Sequence, residues 1–144
     1  MTAPLCVAPR QRGIRITNKE KKDRYYAKLA AEETPDRQLK YFYNDARKSA
    51  ARRGIEFSIS EEYYRSVWTK QNGKCAVSGI PLTLTHGTRQ EQNPTKVSTD
   101  RIDNSKGYIE GNIHLVTWQV NTAKGTWALS QLLELCKNIV NHNK

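Results

Sequence analysis

Between Lys96 and Lys124 the chain changes its period three times, and this restricts its fold more than any other stretch. Lys96 to Ile102 alternates and is rich in β-branched residues, the pattern of a strand. Asp103-Asn104-Ser105-Lys106-Gly107 is turn chemistry, since Asn and Gly tolerate positive φ. Asn112 to Val116 alternates again, with Ile113 and Leu115 on one side and Asn112, His114 and Val116 on the other. From Thr117, a good N-cap, the pattern is helical, and Val120, Asn121 and Lys124 fall within one turn. Strand, loop, strand and helix thus present Asp100, Arg101, Asn112 and Asn121 on one small scaffold.

These polar groups are unusual for a hairpin that only completes a core. Asp100 and Asn121 carry hard oxygen donors, which suit Mg²⁺ or Mn²⁺ better than zinc. Arg101 offers a planar fork for a phosphate. The amide of Asn112 can brace a backbone loop. The plainer alternative is a solvated hairpin with Asx turns. As a metal ligand, Asp100 is expected to be an exposed carboxylate at a strand end that contributes little to packing.

The stretch Asp100-Arg101-Ile102-Asp103-Asn104-x-Lys106-Gly107-Tyr108, followed by Asn112-Ile113 and by Asn121-x-x-Lys124, resembles the ββα-metal core of the HNH endonucleases, in particular phage-type members. The similarity extends upstream over Arg53-Gly54-Ile55-Glu56-Phe57 and over Trp68-x-x-Gln71-x-Gly73-x-Cys75-Ala76-x-Ser78-Gly79. The resemblance implies an α+β fold in which one divalent cation, Mg²⁺ or Mn²⁺, lies between Asp100 and Asn121, while Asn112 holds the connecting loop. It also implies DNA as substrate. Two departures from the family stand out. The general base is a His directly after the Asp, and here Arg101 occupies that place; a guanidinium stays protonated and cannot accept a proton from water. Relatives that knit the motif with two Cys-x-x-Cys zinc pairs are not matched either, because Ser78 stands three residues after Cys75, so no structural zinc is expected. If the chain cuts, another base is needed, and His114 is the first candidate, sharing a strand face with Asn112. His86, Tyr43 and Tyr108 are the others.

Charge points to the same class of partner. The formal net charge is +10 over 144 residues, and it is uneven: residues 1–53 hold fourteen Lys and Arg against six Asp and Glu, residues 54–144 ten against eight. A surplus concentrated in one third of a chain is the footprint of an anionic polymer, although a solvated basic helix kept for solubility would look similar. Residues 1–33 form a basic arm or extension, with Pro4, Pro9 and Gly13 and no periodicity at its start, and a short charged helix over 19–33. Residues 34–144 form the nuclease-like domain, with its core over 96–124. Thr34-Pro35-Asp36 is a strong helix start, and Leu39, Phe42, Tyr43, Ala46 and Ala50 follow at helical spacing until Gly54. The opposite face holds Arg37, Lys40, Arg47, Lys48, Arg52 and Arg53, which with Lys106 and Lys124 are the expected nucleic-acid contacts.

The remaining elements read as supports. Ile55 to Ile59 is a short strand. Ser60 caps a helix whose stripe is Tyr64, Val67 and Trp68, and these aromatics are expected in the core. Residues 74–84 suggest a hairpin, and residues 85–95 a polar loop. Ser130 is expected to cap a last helix whose apolar set, Leu132, Leu133, Leu135, Cys136, Ile139 and Val140, packs on the hairpin. Three widely spaced Cys fit a reducing compartment, and no run approaches a membrane span, so a cytoplasmic protein of a bacterial or phage-infected cell is expected. A homodimer is compatible with this reading. The function that follows is metal-dependent hydrolysis of DNA phosphodiester bonds; the alternative is an inactive HNH-like module that only grips nucleic acid.

Overall fold

The computed structural model describes residues 17–31, 35–85 and 93–144. It is α+β: α1 (Asn18–Ala31), α2 (Pro35–Arg52), α3 (Glu61–Lys70), β1 (Val97–Arg101), β2 (Ile113–Thr117), α4 (Trp118–Lys124) and α5 (Leu129–His142). The start of the arm, Thr34 as a cap, and His86 lie outside the described residues.

The strands β1 and β2 pair antiparallel, from Val97 opposite Thr117 to Arg101 opposite Ile113. One face of this ribbon packs on α2 and α3. There Tyr64 is fully buried and its hydroxyl meets Thr99 Oγ1 at 3.1 Å, and desolvation pushes that phenol far above its ordinary pKa. Tyr43, Phe57 and Tyr108 extend the cluster by edge-on and tilted ring contacts of 5.5–5.8 Å. The aromatics of the third helix therefore belong to the core, as expected.

Local chemistry fixes the helix ends. Thr17 and Glu20 cap α1 reciprocally, side chain to backbone in both directions. Ser60 Oγ accepts the N–H of Tyr63 to start α3, and Thr117 Oγ1 accepts that of Val120 to start α4. The outer edge of β2 is closed by a side chain: the Gln71 amide donates to Leu115 O at 2.7 Å and accepts from Leu115 N at 2.9 Å. Cys75 Sγ accepts the N–H groups of Ser78 and Thr117, which tacks the turn after α3 to the end of β2.

Three expectations are corrected. The stretches at 55–59 and 74–84 are not full strands; each is reduced to isolated bridges, Phe57 with Tyr108, Lys74 with Pro81, and Thr83 with Lys96. Neither run finds a partner long enough to build a ladder. The last helix begins at Leu129, with Gln131 Oε1 accepting the Ala128 N–H, so Ser130 sits inside its first turn and not at its cap. It also does not close the core. Leu132 is buried, but Leu133, Leu135, Ile139 and Val140 are 40–55% exposed. Among the described residues no helix is long and apolar enough to cross a membrane.

Candidate active site

The second face of the ribbon carries the polar residues. Strand alternation sends Ser98 and Asp100 from β1, with His114 from β2, to the side covered by α4. Helix α4 lies along β1 in two rungs. Asn121 Nδ2 donates to Ser98 Oγ at 2.7 Å, and one turn later Lys124 Nζ donates to Asp100 Oδ1 at 3.1 Å. Lys124 also donates to the carbonyl of Arg101 at 3.1 Å. The directly opposed pair Asp100 and His114 is joined by a 2.7 Å contact between Oδ2 and Nε2.

Asp100 is thus not an exposed strand-end carboxylate. It is 4% exposed, and both of its oxygens are taken, one by an ammonium and one by an imidazole. An ionised carboxylate only accepts, so His114 Nε2 must be the protonated nitrogen. In the neutral ring this leaves Nδ1 as the basic one. The side chain of His114 retains 15% exposure.

Lys124, expected among the nucleic-acid contacts, is 1% exposed and bound to Asp100. Its charge serves the interior of the site. Arg101 follows Asp100 and so leaves the strand on the other side. Its guanidinium donates to the carbonyls of Asn104 and Lys106 at 3.0 and 2.9 Å, and it lies 5.6 Å from the Tyr108 ring centre. It braces the loop from the side of the ribbon opposite Asp100. Arg53 meets Tyr108 too, through the phenol oxygen, so the ring carries a guanidinium from each of two elements. Tyr43 donates its hydroxyl to Ile59 O. Neither tyrosine is aimed at the Asp100 face.

Asn112 does brace the loop. Its Oδ1 accepts the Asp103 N–H at 2.9 Å, and its Nδ2 donates to the carbonyls of Asp103 and Gly107 at 3.0 and 2.9 Å. Gly107 is required by a close approach: a Cβ there would stand 2.7 Å from the carbonyl oxygen of Glu56. The same segment hydrogen-bonds back onto 56–58 through Tyr108. Two Ser105 hydrogen bonds, and then the nearby Lys106 and Arg101 charges, hold the Asp103 carboxyl below its ordinary pKa. Lys106 is exposed, 3.9 Å from Asp103.

The oxygen donors along this face are of the kind that could hold a hard divalent cation. Asp100 supplies a carboxylate, Asn121 an amide and Ser98 a hydroxyl, and such a set leaves positions for water and phosphate oxygens. Among the described residues no three His, Cys, Asp or Glu side chains form a group that could hold a metal ion. Ser98 joins this face through its hydrogen bond from Asn121. Its only signal in the sequence was its position two residues before Asp100, on the same strand face.

The basic residues of α2, with Arg53 just after it, form a separate surface. Arg37, Lys40, Arg47, Lys48, Arg52 and Arg53 are all exposed, with Lys40 4.0 Å from Glu61 and Arg53 tied to Tyr108. Tyr25 and Tyr41, 6.4 Å apart, join α1 to α2 beside a groove of about 440 Å³ that Arg47 and Lys48 also line.

No family model matches the chain. A stretch of 98 residues, 68% of the chain, is 32% identical to an uncharacterized 29.0 kDa protein of the dda-modA intergenic region of Enterobacteria phage T4. The match covers 36% of that protein, so the chain spans about a third of the length of this curated relative. Among solved structures, the rare-cutting HNH restriction endonuclease PacI is similar with a TM-score of 0.56 at 16% identity, over 72% of this chain and 78% of that one. The likeness is one of fold: the chain has an α+β architecture shared with an HNH restriction endonuclease.

Proposed function

We propose that the chain is a divalent-cation-dependent DNA endonuclease of the HNH type, with residues 34–144 as its nuclease domain and 1–33 as a basic extension. The observation that carries this reading is the convergence of Asp100, His114, Asn121 and Lys124 on one face of a β-hairpin and helix, in a fold shared with PacI. Mg²⁺ or Mn²⁺, held by Asp100 and Asn121, would polarise the scissile phosphate and stabilise the leaving oxygen. The chain's own residues do the rest. Asp100 fixes the His114 tautomer, and His114 Nδ1 takes the proton from the attacking water, near neutral pH. Asn112 and Arg101 keep the 103–107 loop in place. The exposed cations of α2 supply sequence-independent affinity through phosphate contacts. The working environment is a bacterial or phage-infected cytoplasm.

One observation favours a second reading. Both oxygens of Asp100 are already bonded inside the protein, as they would be in a scaffold that only grips DNA. Supercoiled plasmid incubated with Mg²⁺ or Mn²⁺, against an EDTA control, separates the two. Nicking that EDTA stops is the expected result. Retarded but uncut plasmid under every metal condition would leave the binding module.

A further inference from the structure

Among the described residues Lys124 is the buried cation of the Asp100 face, and three facts restrict what it can do. Its side chain has no exposure, so it cannot swing into solvent as a surface lysine would. A second hydrogen bond, to Arg101 O, anchors the ammonium independently of the carboxylate. It emerges one turn after Asn121 on the same helix face, so it points at the donors that suit a cation.

We propose that Lys124 is a built-in counter-cation that competes with the divalent ion for Asp100. Free protein then binds Mg²⁺ or Mn²⁺ weakly, and a phosphodiester is needed to load the metal firmly. The inference rests on the reading of Asp100 as a metal ligand. Its logic is a charge count. Asp100 alone offers one negative charge to an incoming dication, whereas Asp100 with Lys124 offers none, and the ammonium 3.1 Å from the ligand oxygen repels the ion directly. A phosphodiester at the cation restores one negative charge and offsets the repulsion between ammonium and dication, with no direct contact to the buried Lys124. Metal and phosphate then raise each other's affinity by the same factor, as linkage requires. A cation loaded in this way is present when DNA is present, which limits stray chemistry on water alone.

The test is Mn²⁺ binding to the full chain, followed by the electron-spin signal of free Mn²⁺ and needing no turnover. Lys124→Met should bind Mn²⁺ about tenfold more tightly than wild type, within the usual range of such couplings. Lys124→Arg keeps the charge and should stay weak. Dimethyl phosphate, the probe for the diester, should tighten Mn²⁺ on wild type by more than it does on Lys124→Met. Lys124→Gln, which keeps a hydrogen-bonding end group, serves as the neutral variant if circular dichroism finds Lys124→Met unfolded. Equal, Asp100-dependent affinities in wild type and the neutral variant would overturn the inference and leave the metal site standing. Mn²⁺ binding unchanged between Lys124→Met and Lys124→Met/Asp100→Asn would instead remove Asp100 as a ligand, and both readings with it.

Discussion

The β1–β2–α4 unit and helix α5 are neighbours in the chain and opposites in burial. The first hides Asp100, Asn112, Thr117 and Lys124 at 0–6% exposure, while α5 leaves Leu133, Leu135, Ile139 and Val140 at 40–55%. Hydropathy alone would arrange them the other way round. A buried polar group is tolerated only when its partners are supplied, and each of these has them: Lys124 and His114 for Asp100, three backbone groups for Asn112, Val120 N–H for Thr117. The stability of the first region therefore depends on pairing, and that of the second on little within the described fold.

Removing one partner should give the largest effects. Asp100→Ala should lower unfolding free energy by about 3–5 kcal/mol, the usual cost of stranding a buried charge. The double variant Asp100→Ala/Lys124→Met should recover much of that in urea denaturation. A single-variant loss below about 1 kcal/mol would show that Lys124 finds water, and would erase the contrast with α5.

Apolar substitutions sharpen the comparison from the other side. Leu115 is fully buried between the edge contacts of Gln71 and the Tyr64 face, so Leu115→Ala should cost about 2–5 kcal/mol. Ile139→Ser on α5 should stay within about 0.5 kcal/mol, as surface changes do. Comparable losses by thermal melting would mean that α5 is covered in solution.

Catalysis supplies a third contrast, because His114 sits on the paired face while Arg101 has left it. His114→Ala should slow cleavage by about 10²–10⁴, the usual loss with a general base, at unchanged DNA affinity. Arg101→Lys should act through the loop, since a single ammonium cannot reach both carbonyls and the Tyr108 ring as a fork does. Single-turnover rates check both. A His114→Ala rate within a few-fold of wild type moves the search for the base to His86.

A smaller effect is expected from charge outside both regions. Deleting residues 1–33 should weaken DNA binding and flatten its salt dependence, by about 0.9 in slope for each duplex phosphate that is no longer neutralised. An unchanged slope would assign that charge to solubility. The smallest effect concerns Asp103. Its folded-state pKa is depressed, so its hydrogen bonds with Ser105 stabilise the loop above the ordinary carboxylate pKa and are lost as pH falls through the depressed value. Ser105→Ala should flatten that acid limb in amide exchange of the 103–107 loop.

Much of the paired region was legible in the sequence because short-range chemistry dictates it. Alternation placed β1 and β2 to within a residue, Thr117 announced α4, and the Asn112 brace followed from the family resemblance. What escaped required a third dimension. Strand parity sent Arg101 away from Asp100, but the value of that side depended on Tyr108 folding back beneath it. The fate of Lys124 turned on α4 running along β1, a packing relation with no local signal. For α5 the apolar stripe was plain, yet periodicity shows that a face exists and not what covers it.

The central claim is that the Asp100 face carries out metal-dependent phosphodiester hydrolysis, and one measurement bears on it most directly. Wild type and Asp100→Asn, both verified as folded by circular dichroism, are compared on an end-labelled duplex, with Mg²⁺ to start the reaction and EDTA to stop it. The account predicts cleavage by wild type that needs the metal, and a rate for Asp100→Asn lower by at least about a hundredfold, in line with loss of a group acting on the reacting atoms. Equal metal-dependent rates in the two proteins would contradict it.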